Sequence, residues 1–236
     1  MQAACTYLAS NYNSSMGLIA ETPSHERYFL YSDNFLASLV LSNDCGNSNL
    51  NRSISNSLAA YDPRTIPNQY MVFECLGPYF NGSKDYRLSD NILTTINNQT
   101  GPPLNDSYAD IALLRAYYDY VCARNMTEAI TDFNASVKEY HEFGFIDAAS
   151  TPCIVTPCSR LYQTYKLALC IILASLLDQP IRLSVVQTMM KMQDNSTGGF
   201  YTGYTVGPLI PVVSVSGTTN TETTCLVIMA MEAALG

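Results

Sequence analysis

Residues 198–235 read Gly198-Gly199-FYTGYTVGPLIPVVSVSGTTNTETTCLVIMAMEAA-Leu235. A Gly-Gly-Phe turn leads into a long loop with no charge from Thr205 to Thr219. The polar run Thr218 to Thr224 then opens a helix, apolar from Leu226 to Leu235 with Glu232 as its only charge. A helix that is apolar on every side belongs in an interior. Its polar start, with Asn220 and Glu222, then sits where a buried helix meets water or a ligand.

Working outward, the same unit recurs. An apolar helix follows Ser32-Asp33-Asn34, a second runs from about Tyr108 to Val121, and the most apolar runs from Leu161 to Leu177. Amphipathic helices alternate with them. They cover residues 2–12, 50–61 (Ile54, Leu58 and Tyr61 on one face), 126–140 (Ala129, Phe133 and Val137) and the stretch after Pro180 (Ile181, Val185 and Met189). Glycine turns at Gly17, Gly77, Gly144 and Gly199 repeat at roughly 55–67 residues. Residues 69–97 read as a β-hairpin or two loosely paired strands, with a helix at 90–97 as the alternative. The expected fold is mainly all-α: one domain over 1–236, an α/α toroid of about four helical hairpins with a small β-hairpin insert near 69–97.

Charged residues make up 14% of the chain, the net charge is −8, and the 12 Lys and Arg are scattered singly. No basic stripe exists to neutralise phosphates, so a nucleic-acid partner is not expected. The longest apolar run is about eleven residues, too short for a membrane span. No basic n-region precedes an apolar segment at Met1, so a signal peptide is absent or removed. Eight cysteines without a CxxC, and only His25 and His141 beside them, favour disulfides over a metal site. The local candidate pair is Cys153 with Cys158. Eight N-x-S/T sequons, at Asn13, Asn51, Asn81, Asn98, Asn105, Asn125, Asn134 and Asn195, exceed the chance expectation of about three. Together these features point to an extracellular or cell-surface chain carrying covalent glycans. No phosphate loop or dinucleotide fingerprint occurs, and no cofactor is expected.

Two sets of motifs carry a resemblance. Gln193-x4-Gly198-Gly199-Phe200 followed by Thr219-Asn220-Thr221-Glu222-Thr223-Thr224 resembles the repeat of α/α-toroid proteins, shared by the prenyltransferase and terpene-cyclase group and by many carbohydrate-active toroids. Tyr31 to Ala37, Tyr108-Ala109-Asp110 and Tyr162-x2-Tyr165-Lys166-Leu167-Ala168-Leu169 resemble a poorly characterised set of secreted archaeal toroids. The chain departs from the named enzymes. It lacks a zinc-ligand set, an Asp-x-Asp-Asp motif and any Trp.

If the apolar helices share a direction, their starts gather Asp33, Asp110, Tyr165, Lys166 and Glu222 at one end, with Asp194 and the aromatic stretch Phe200, Tyr201 and Tyr204 able to join. Paired carboxylates supply acid and base for glycoside hydrolysis, and Tyr serves as a stacking platform. The competing reading is that Asp33 and Asn220 are helix caps and that Glu222 and Lys166 form a structural pair. Glu21 and Glu26 read as solvated. The leading functional expectation is an extracellular N-glycosylated structural protein, the subunit of a surface layer or filament, self-associating through 205–219. The alternative is a glycoside hydrolase or lyase using Asp33, Asp110, Tyr165, Asp194 and Glu222 in an acid-lined funnel.

Overall fold

A computed structural model describes residues 1–23, 28–60, 68–77, 83–97, 107–150, 160–207 and 212–235. In chain order, α1 (Gln2–Ser10) leads into β1 (Tyr12–Asn13) and β2 (Leu18–Ile19). β3 (Phe29–Leu30) precedes α2 (Tyr31–Asn43) and α3 (Ser48–Leu58). A 3-10 helix (Gln69–Glu74) comes before β4 (Ser83–Arg87) and β5 (Ile92–Asn97). α4 (Ala109–Tyr117) runs into a π-helical turn (Tyr118–Cys122), then α5 (Met126–Lys138), β6 (Tyr140–His141) and β7 (Gly144–Phe145). β8 (Leu161–Gln163) precedes α6 (Thr164–Leu176) and α7 (Leu183–Lys191). β9 (Phe200–Val206), β10 (Val213–Asn220) and α8 (Thr221–Leu235) complete the order.

The most apolar helix lies deepest. Ten of the thirteen residues of α6 are buried, and α6 packs against α8 and α4, while α8 also packs on α2. Each buried helix carries an amphipathic one outside it: α3 on α2, α5 on α4, α7 on α6 and α1 on α8. The outer helices bury residues four apart, Ile54 and Leu58, Ala129 and Phe133, Val185 and Met189, Ala4 and Leu8, as a single helical stripe requires. Each such aliphatic or aromatic side chain removed from water contributes roughly 1.5–3 kcal/mol before entropy is counted. One hydrophobic cluster joins residues of all eight α-helices.

The expectation of a mainly all-α toroid is overturned. Beside the helices, the described residues form ten strands in four small sheets, a mixed α/β fold. Stretches read as loops or glycine turns pair into strands. β1 pairs with β2 and β6 with β7, both antiparallel. The segment read as loop 205–219 belongs largely to a hairpin: β10 pairs with β9, and β9 with β8. Val alternates with Ser from Val213 to Ser216, the period-two pattern of a strand. In the 69–97 insert, residues 69–74 coil into the 3-10 helix. The hairpin is narrower, β4 with β5, and β3 adds to β5 in parallel. No helix covers 90–97.

The glycine turns have steric causes. Gly17 takes φ +67°, and a Cβ there would meet Ser57 Oγ at 2.1 Å. A Cβ at Gly199 would lie 2.5 Å from the Tyr7 ring, so α1 can sit on the 198–200 turn only because that side chain is missing.

Among the described residues two disulfides are formed, Cys5–Cys45 and Cys75–Cys122. Cys5 within α1 is tied to Cys45, which follows the C-cap of α2, and Cys75, the C-cap of the 3-10 helix, to Cys122, which ends the π-helical turn after α4. Cys170 and Cys225 are buried free thiols. The expected Cys153–Cys158 pair lies outside the described residues. Among the described residues no helix is long and apolar enough to cross a membrane.

The Cys5–Cys45 bond closes a separation of 40 residues. Loop-closure entropy predicts that Cys5→Ala with Cys45→Ala lowers unfolding stability by about 4 kcal/mol. Guanidinium denaturation measures it; a loss under about 1 kcal/mol would show that this link does not restrict the unfolded chain.

Candidate active site

The first turns of α2, α4, α6 and α8 meet at one end of the molecule. Asp33, Asp110 and Glu222 each lie in a first turn, where the helix dipole favours an anion. Tyr165 and Lys166 open α6. The 3-10 helix packs on both α2 and α4 and brings Tyr70, whose phenol O–H donates to Glu222 Oε1. The Tyr165 O–H donates to Asp110 Oδ2 at 3.0 Å. The Lys166 ammonium lies 2.5 Å from Asp147 Oδ2 and 3.8 Å from Asp110 Oδ1.

Asp147 also caps α4. Its Oδ2 accepts the Ala109 N–H at 2.9 Å, so a residue 38 positions away in sequence partners a free amide at the start of α4. Asn220 does act as an N-cap, accepting the Thr223 N–H at 2.9 Å. Asp33 does not: α2 starts two residues earlier, at Tyr31, and Asp33 is 1% exposed. Its carboxyl accepts the backbone N–H of Glu222. Ser32 Oγ stands 3.4 Å from Oδ1, and Oδ2 is buried without a hydrogen-bond partner.

Burial holds the Asp33 carboxyl well above the usual carboxylate range, and the charges of Glu222 and Glu21 add to the rise. Glu222 is also raised, first by burial and then by the Asp110 and Glu21 charges, against the lowering effect of the Tyr70 hydrogen bond. Burial and neighbouring carboxylates push Tyr70 and Tyr165 well above the tyrosine range. Both phenols therefore stay neutral donors.

Glu222 and Tyr165 face a cleft of about 220 Å³. β8, β9 and β10 wall it with Gln163, Thr202 and Ser216, and Thr223 completes the floor beside Glu222. Gly203 lies so close to β8 that a Cβ would stand 2.7 Å from the Tyr162 carbonyl oxygen. Among the described residues that line the cleft, Glu222 is the one charged side chain.

Four of the five predicted site residues, Asp33, Asp110, Tyr165 and Glu222, are thus drawn to one end. Asp194 is not. It organises its own turn, accepting from Ser196 and Thr197, and these bonds lower its carboxyl. Phe200 and Tyr204 are buried instead of facing the cleft, and the Tyr204 O–H donates to the Phe143 carbonyl. Lys166 pairs with Asp147 and Asp110, not with Glu222. Sequence reasoning missed Tyr70, hidden in a run read as strand, and Glu21, read as solvated, whose charge reaches Asp33 and Glu222. It also missed Asp147, the one charged residue between Ile146 and Ser159, a signal that was there to use. Among the described residues no group of three or more His, Cys, Asp or Glu is arranged to hold a metal ion.

Of the sequons, Asn125, Asn134 and Asn195 are exposed, and Asn13 and Asn51 half-buried. Asn125 also caps α5 through the Glu128 N–H. Asn81, Asn98 and Asn105 lie outside the described residues. No protein-family model, curated protein or solved structure matches the chain. The functional reading therefore rests on the geometry.

The raised carboxyls set a pH dependence. Their contribution to stability is complete below about pH 4, where the unfolded chain's carboxyls are protonated too. It is lost as the pH rises through the raised folded values. The melting temperature should fall as the pH rises above about 4, and Asp33→Asn should flatten that slope and raise the melting temperature at the upper end. Asp194, lowered, acts in the opposite sense but only below its ordinary range. An Asp33→Asn slope equal to the parent's would show that Asp33 folds with its charge.

Proposed function

We propose that the chain is an extracellular, glycosylated, carbohydrate-active enzyme that hydrolyses a glycosidic bond. The observation that carries the reading is Glu222: a carboxyl raised by burial, held by the Tyr70 phenol, on the floor of a cleft walled by amide and hydroxyl groups. Neutral hydrogen-bonding groups beside an aromatic ring suit an uncharged sugar, with Tyr165 as the platform. Glu222 acts as the general acid that protonates the glycosidic oxygen. Asp110 does not line the cleft; it accepts the Tyr165 O–H and so positions that ring. Asp33, whose carboxyl burial drives toward the protonated form, meets the backbone N–H of Glu222. The two disulfides support an oxidising compartment, and the exposed sequons support attached glycans.

Release of reducing ends from a panel of neutral polysaccharides tests this. Glu222→Gln should lower turnover on the order of 10²–10⁴-fold with little change in melting temperature. A parent protein inactive across the panel, or a fully active variant, would remove Glu222 from catalysis.

A second reading, a self-associating structural subunit of a surface layer or filament, is supported by one observation. β10 is the edge of its sheet, and Val212 and Val215 are 58% and 47% exposed there. An uncharged edge strand with exposed valines is a template for another strand. Val213, by contrast, packs against the core, so the test uses Val212→Lys with Val215→Lys. Under this reading light scattering finds an assembly in the parent protein and folded monomers in the variant. Identical particle size in both would rule out this contact.

A further inference from the structure

Because the four buried helices start together, they also end together. At the end opposite Glu222 lies a cavity of about 280 Å³. Its walls come from the last turns of all four: Asp44 at the C-cap of α2, Tyr117 ending α4, Leu176 ending α6, and Met229 and Glu232 late in α8. Phe73 of the 3-10 helix closes the side. Phe73 and Tyr117 meet edge to face, ring centroids 4.8 Å apart.

Two features of this cavity run against ordinary helix chemistry. The C-terminal ends of helices carry the negative pole of the dipole and favour cations. Here two carboxylates stand at those ends, and among the described residues no Lys or Arg pairs with either. Burial, with the Glu232 charge behind it, pushes the Asp44 carboxyl up to about 6, the response of an acid whose negative surroundings lack a counter-ion. Apart from the Asn43 amide, the rest of the lining is apolar and aromatic, and the faces of aromatic rings attract cations as well.

We propose that this cavity binds an organic ammonium, a primary or quaternary amine carried on an apolar body of about ring size. The ammonium lies between the Asp44 and Glu232 carboxylates, where the convergent helix ends add to its attraction. The apolar body lies against Phe73, Tyr117, Leu176 and Met229. An inorganic cation would leave that apolar surface unused, and a neutral apolar ligand would leave the acids uncompensated. The cavity is separate from the cleft at Glu222, and this inference does not depend on the catalytic reading. Both disulfides border it, since Cys45 follows Asp44 directly, and Cys75 and Cys122 end the segments that carry Phe73 and Tyr117. The rim is therefore held before any ligand arrives.

The test titrates the full, oxidised chain with benzyltrimethylammonium chloride at constant ionic strength, followed by the methyl resonance of Met229 labelled with ¹³C. Met229→Leu assigns the signal. Binding should move that methyl saturably. Benzyl alcohol, similar in its ring but uncharged, should bind roughly tenfold more weakly or worse, and so should the ammonium to Asp44→Asn with Glu232→Gln. Exposed Glu232→Gln alone gives a folded intermediate case with a smaller loss. Absence of a saturable shift, equal affinity for the alcohol, or unchanged affinity in both variants would overturn the proposal.

Discussion

An ammonium taken out of water must find carboxylates, and in this chain the ammonium is Lys166, 2% exposed. Its partners are Asp147 and Asp110. A buried lysine left alone would be costly on the scale of several kcal/mol. The requirement to satisfy it therefore fixes three segments at once: α6 through Lys166, α4 through Asp110, and the connection after β7 through Asp147. Because Asp147 also accepts the Ala109 N–H, the residue that neutralises the lysine closes the start of α4. Asp110 in turn takes the Tyr165 phenol, so the pairing spreads to the floor of the cleft.

The remaining acids answer the same constraint differently. Among the described residues no Lys or Arg forms an ion pair with Asp33, which is raised by burial and by its acidic neighbours. Glu222 finds only a phenol. One end of the buried helices thus holds two carboxyl groups beside Lys166 and two, Asp33 and Glu222, that burial drives toward the protonated form, Glu222 facing a cleft. A carboxyl raised in this way is what general-acid chemistry at neutral pH needs. The other end holds two acids where helix dipoles disfavour them. The two ends are chemically distinct because parallel helices expose amide N–H groups at one and carbonyls at the other.

Much of this was legible in the sequence where a single element decides its own fate. The all-round apolar α6 and α8, the four-residue stripes of α3, α5 and α7, and the gathering of Asp33, Asp110, Tyr165 and Glu222 follow from periodicity and helix starts. What failed depends on partners distant in sequence. β8 has three residues and becomes a strand because β9 is beside it, so no window of the sequence reveals it. Tyr70 sits in a β-rich run that coils into a 3-10 helix against α2 and α4. Val213-Ser214-Val215 did show its alternation, but its partner was sought elsewhere, whereas β9 lies just across the 207–212 connection. The pairing of Cys5 with Cys45, and of Cys75 with Cys122, was open to sequence only as a set of possibilities.

The two buried thiols bear on how the chain acquires its bonds. Disulfides exchange through thiolates. Burial pushes the Cys170 thiol up to about 12 and Cys225 well above the usual thiol range. In the folded molecule neither can attack Cys5–Cys45 or Cys75–Cys122. Before α6 and α8 are packed, nothing withholds them, and each is a competitor for the wrong sulfur. Packing of these two helices thus serves as a protecting group. Oxidation that follows it is channelled toward the observed bonds, and oxidation that precedes it draws on a larger pool of reactive sulfurs. Productive maturation therefore favours hydrophobic collapse ahead of covalent closure, an order written into the chain by placing two cysteines inside its most apolar helices.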